Sequence, residues 1–136
     1  MNTQIKTAIY WLLLGVCFLT HTLFHIYGLF YGVDIRLPDT TGSEVPLFDQ
    51  VFNTVIFTLT FLIALLSVNL SGRGFRWFSL VWSVLFLLLN LAHLAEAAFV
   101  EKFDLSQVCL LSFVLVVNGM LIVTLWKSLR PASKSV

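Results

Sequence analysis

Charge is what this chain has least of. Charged residues make up 11% of its 136, where a soluble domain carries about a quarter, and mean hydropathy reaches +0.95. That deficit excludes a soluble globular domain. A net charge of +1 also leaves no basic surface for nucleic acid. Cysteine is nearly absent: Cys17 and Cys109 stand alone without a repeated spacing, so neither a disulfide framework nor a cysteine-based zinc site is expected. Proline is confined to Pro38, Pro46 and Pro131, which leaves the long apolar runs unbroken. No nucleophile–base pair, phosphate loop or eight-histidine iron cluster is present.

What is present is apolar length. Hydrophobic residues reach 59% and fall into four runs, about 8–30, 47–70, 77–99 and 106–126, each near the roughly 20 residues a membrane span needs. The first run is too long for the h-region of a signal peptide and lacks a small-x-small cleavage site, so it reads as a retained span. Residues 31–46, with Pro38, a Thr-Thr-Gly-Ser turn and Pro46, form the first loop. Residues 71–76 read as a tight turn, and 100–107 as the last loop. The expected fold is an all-α membrane protein: one integral membrane domain of four transmembrane helices in an up-down bundle.

Loop charges set the expected orientation. Lys6, Arg73, Arg76, Lys127, Arg130 and Lys134 lie on one side. Arg36 and Lys102 lie on the other, with the acids Asp34, Asp39, Glu44, Asp49, Glu101 and Asp104. The positive-inside rule then puts both termini in the cytoplasm. Trp11, Trp77, Trp82 and Trp126, with Tyr10, read as an interfacial aromatic belt near the cytoplasmic ends.

The chain has three histidines, and all lie inside apolar runs. At about 100° per residue, Leu14, Cys17, His21, His25, Gly28 and Gly32 share one narrow stripe of the first span. In the third span Ser79, Ser83, Phe86, Asn90, His93 and Ala97 follow 4-3-4-3-4 spacing, the seam of a packed helix. Asn53, Thr60 and Ser67 give the second span a small polar face. Ionisable groups at membrane depth are costly and by default face the protein interior.

Counted back from the outer ends, His93 falls at a depth between His21 and His25. Spans one and three are diagonal in an up-down bundle. Neighbours about 8–10 Å apart and a Cα radius of about 2.3 Å per helix then leave roughly 7–9 Å between facing Cα atoms. Two imidazoles can meet across that gap through one ion.

The expected site therefore comprises His21, His25 and His93, with Asn90 as a supporting group and Glu96 as a further ligand, a hydrogen-bond partner of His93, or a carboxylate that snorkels to water. Imidazole suits zinc, copper, iron and haem b. The lack of thiolates in the layer argues against a soft Cu(I)-only site. Cys17 is on the stripe but well below His21, and reads as a small buried hydrophobe.

Three functions fit. The first is a metal- or haem-binding membrane protein for redox or cation handling, which need not be an enzyme. Its outer acids would concentrate cations at the mouth. The second is a non-catalytic small subunit or partner-binding protein, associated with other membrane subunits or with copies of itself. In it Thr20, Thr22, Asn90 and Asn118 satisfy structural histidines. The third is a membrane enzyme acting on a lipid or quinone, with His93 and Glu96 as an acid–base pair.

Overall fold

A computed structural model describes residues 2–32, 34, 45–99 and 104–130. Pro38, the turn at 40–43, the loop charges Arg36, Asp39, Glu44, Glu101 and Lys102, and Lys134 lie outside the described residues.

Four long apolar helices form an all-α bundle: α1 (Thr3–Tyr27), α2 (Leu47–Asn69), α3 (Arg73–Phe99) and α4 (Leu105–Leu129). Each is long and apolar enough to cross a membrane. The shortest, with 23 residues, spans about 34 Å at 1.5 Å per residue, against a hydrocarbon core of about 30 Å. Leu12, Leu19 and Leu23 of α1, Leu65 of α2, Leu88 of α3 and Val116 of α4 are exposed, as lipid-facing residues are. Helix ends are capped where the sequence supplies caps. The Asn2 side chain accepts from the Gln4 N–H, and the Asp104 side chain from those of Ser106 and Gln107, filling donors left over in a first turn.

Two ends differ from expectation. The α-helix of span one stops at Tyr27, and the chain winds into a 3-10 turn, Gly28–Tyr31. Gly32 closes that turn at φ 71°, a left-handed conformation glycine adopts without penalty. Gly28 and Gly32 thus stand at the C-terminal ends of α1 and of the 3-10 turn. The expected turn at 71–76 shrinks to three residues, because α3 already begins at Arg73. Gly74 sits in its first turn, where the backbone N–H groups lack helical partners in any case.

In the bundle α1 packs against both α2 and α4, and α3 packs against α4. No comparable backbone approach joins α2 to α3 among the described residues. On the α1–α2 seam Gly15 faces Phe61, and a Cβ added there would come within 2.7 Å of the Phe61 ring. Trp11 and His21 of α1 meet Ser79 and His93 of α3, in the same order along both helices. Gln107, near the start of α4, meets His21; near its end, Ser128 accepts a hydrogen bond on its carbonyl from Arg76.

The core corrects the reading of one tryptophan. Trp11 is fully buried, donates its indole N–H to Ser79 Oγ at 2.9 Å and packs edge-on against Phe86. Its ring is apolar and its single N–H needs an acceptor, and the serine of α3 supplies one across the bundle. Trp77 and Trp126 are exposed and pack on each other edge to face, with Arg130 over the Trp126 ring. On the polar face of α2, Thr60 and Ser67 are satisfied within their own helix, donating to the Ile56 and Ile63 carbonyls.

Candidate metal centre

The bundle brings the three histidines to one point. His21 Nε2 stands 2.9 Å from His93 Nε2 and 3.1 Å from His25 Nε2. One ligand nitrogen from each ring lies within 4.8 Å of the other two. Helical spacing produces half of this: residues i and i+4 are neighbours on one face, so His25 stands one turn above His21. The α3 seam produces the other half, carrying His93 inward at the same level. His21 is half-buried. His93 keeps 34% side-chain exposure, and His25 is exposed.

What lies behind the rings decides what they present in front. Nδ1 of His21 faces Oε1 of Gln107, and the amide nitrogen of Gln107 reaches the His21 carbonyl at 3.5 Å. The amide is thus oriented with its oxygen, an acceptor only, toward the ring. His21 therefore carries its proton on Nδ1 and turns a lone pair inward from Nε2. Nδ1 of His93 faces Glu96 Oε2 at 3.4 Å, again an acceptor. With its proton on that side, His93 also turns a lone pair inward. His25 can donate a proton to His21, but the His21–His93 approach at 2.9 Å is then one cation or proton short.

Three imidazoles on a tetrahedral ion with metal–nitrogen bonds of about 2.0–2.1 Å stand about 3.3 Å apart. The two pairs at 2.9 and 3.1 Å are already near that spacing, and the widest gap need close by no more than about 1.5 Å from its 4.8 Å limit. The cluster is therefore compatible with a transition-metal site. Carboxylate or carbonyl groups behind the rings are what metal-bound histidines commonly have. A haem finds no such support. Its axial histidines stand on opposite faces of the ring, whereas His21 and His25 are one turn apart on the same helix and His21 and His93 already touch.

Other expected site residues fall less centrally. Glu96 touches His93 but is 55% exposed. Asn90 lines the adjoining cavity and gives its amide N–H to the Phe86 carbonyl of its own helix at 2.7 Å. Thr20 and Thr22 donate back to Val16 and Phe18, and the side-chain amide of Asn118 has no hydrogen-bond partner among the described residues. None of the four satisfies a ring nitrogen. Cys17 is buried and Cys109 exposed, both as free thiols. The residue that sequence reading missed is Gln107, 4% exposed.

A cavity of about 460 Å³ adjoins the cluster, with all four helices contributing to its wall. Its polar lining is His21, His25, His93, Asn53, Asn90 and Thr22; Leu, Ile, Val and Phe side chains and Cys17 make up the rest. No family model, curated protein or solved structure matches this chain.

Proposed function

We propose that this is a membrane protein that holds one transition-metal ion on His21, His25 and His93, for redox or cation handling. In this reading Gln107 and Glu96 orient two of the rings, and Asn90 lines the space beside the ion. The observation that carries it is the convergence of inward ring nitrogens whose opposite nitrogens face acceptors. Such an arrangement lacks a positive charge at its centre. Zinc, copper and iron all accept imidazole, and a three-histidine set leaves a fourth position open toward the cavity, as in catalytic zinc sites. The helices are placed up-down with both termini cytoplasmic, because Lys6, Arg73, Arg76, Lys127 and Arg130 gather at one end of the bundle. The cluster then lies in the outer half, beneath Asp49 and Asp104.

A purely structural role is less well matched, since histidines that only glue helices are expected to be enclosed, and His25 is exposed. The test is metal analysis and visible absorption of the detergent-purified protein, with cobalt(II) as a spectroscopic probe. One ion per chain and the intense visible bands of a tetrahedral cobalt site are expected, both lost in the His21→Ala/His93→Ala double variant. Failure to retain any divalent ion after dialysis overturns the reading. A Soret band would replace the ion with haem.

A further inference from the structure

The bundle is open on one side. α2 and α3 are tied together at one end by residues 70–72, yet no comparable packing joins their lengths. A second hollow of about 280 Å³ lies between them, lined among the described residues by these two helices. Phe52, Ile56, Phe86 and Leu89 line both this hollow and the histidine cavity, so the two adjoin. Leu85, Leu88 and Leu89, on its α3 wall, are exposed, which places its mouth on the face that lipid covers. Along α3, Trp82 in this hollow and His93 in the adjoining histidine cavity are eleven residues, about 16 Å, apart.

We propose that this gap is a lateral entrance through which the cavity takes up a neutral, lipid-soluble molecule of the quinone class. Its oxygen-bearing ring stands beside His93 and Asn90, and its single apolar tail lies between α2 and α3. Three features select that class. A ligand site commonly pairs apolar walls with a few converging polar groups, and here the polar groups sit at one end only. Among the described residues no Lys or Arg lines either hollow, so a phosphate or carboxylate headgroup would meet no cationic side chain, whereas Asn90, with one amide hydrogen spent on the Phe86 carbonyl, keeps the other to donate to a quinone oxygen. Phe18 and Phe86 are among the residues that line the histidine cavity, and aromatic side chains suit a planar ring.

The inference deepens the metal-centre reading, on which it rests only for what stands beside the ring. The test uses the full chain in phosphatidylcholine nanodiscs, titrated with a decyl-substituted benzoquinone and followed by quenching of tryptophan fluorescence, with metal content measured on the same samples. Saturable binding of one quinone per chain is expected. Leu89→Trp, which fills the shared wall, should weaken binding tenfold or more and leave the metal content unchanged. Leu85→Trp serves the same purpose at the mouth if the first variant does not fold.

Oleate at equal concentration should not displace the quinone. Displacement would reduce the gap to an acyl-chain site and overturn the proposal, as would unsaturable binding or binding indifferent to both tryptophan variants. Mouth-dependent quinone binding by a protein that holds no ion would sink the metal centre and leave this inference standing. An ion-loaded protein that ignores the quinone would do the reverse.

Discussion

Gln107 grips His21 from both sides of its own amide: the amide oxygen faces the ring Nδ1 and the amide nitrogen reaches the His21 backbone carbonyl. The contact joins the start of α4 to the middle of the cluster. It holds the ring at one rotation and one tautomer, which is what a ligand needs before an ion arrives.

Gln107→Leu should therefore weaken metal affinity by roughly 10–100-fold, the range seen when partners behind a metal-bound histidine are removed. Gln107→Glu keeps an acceptor in place and should retain most of the affinity. Competition titration against a chelator of known affinity reads both. Equal losses in the two variants would mean that Gln107 packs the helix junction without orienting the ring.

Glu96 is the milder counterpart. It reaches His93 at 3.4 Å from a side chain more than half exposed, a long hydrogen bond in competition with solvent. Glu96→Gln should cost up to about tenfold in affinity, at the low end of the range for such partners, and Glu96→Ala somewhat more. The same titration tests this, repeated at high salt, which should narrow the gap between wild type and variants. Full affinity in Glu96→Ala would leave the carboxylate as a surface group at the end of α3.

The histidine layer was legible because two periodicities and one depth count converge on it: 4-residue spacing in span one, the 4-3 seam of span three, and similar distances to the helix ends. Gln107 was not, because 100–107 reads as a loop. Yet Asp104 followed three residues later by Gln107 is the pattern of a helix start, which would have put that glutamine in a first turn. Trp11 was misread for a similar reason. Thr7, Trp11 and Leu14 continue the inner stripe at helical spacing and all three are buried, but a tryptophan near a span's end invites the interfacial reading. The gap between α2 and α3 leaves no trace in the sequence. Leucines facing lipid and leucines facing a cavity are chemically alike, so Leu85 and Leu89 look the same in either role.

Asn118 offers a test of the core independent of any ligand. It is fully buried on α4, and neither its amide nitrogen nor its oxygen has a hydrogen-bond partner among the described residues. A buried polar group without partners costs about 1–3 kcal/mol, and lipid around the bundle supplies no substitute. Asn118→Leu, close in volume and wholly apolar, should stabilise the protein by about 1 kcal/mol or more. The transition midpoint in a detergent unfolding titration should rise, with metal content unchanged. A fall of similar size would show that Asn118 has a partner essential to the bundle.

The orientation of the bundle decides which compartment supplies the ion. Five basic residues, Lys6, Arg73, Arg76, Lys127 and Arg130, belong to one end, and Asp49 and Asp104 to the other. Basic residues beside span ends are retained in the cytoplasm far more strongly than acids are. In a Cys109→Ser background, with Cys17 buried, a cysteine at Thr41 should react with an impermeant maleimide added to intact cells. One at Ser71, in the short connection before α3, should react only after the cells are opened. The pair of sites controls for expression, since each reports on the other's silence. The reverse pattern would turn the histidine cluster toward the cytoplasm, where the ion would have to come from the cell's own buffered pool. The external acids could then have no part in gathering it.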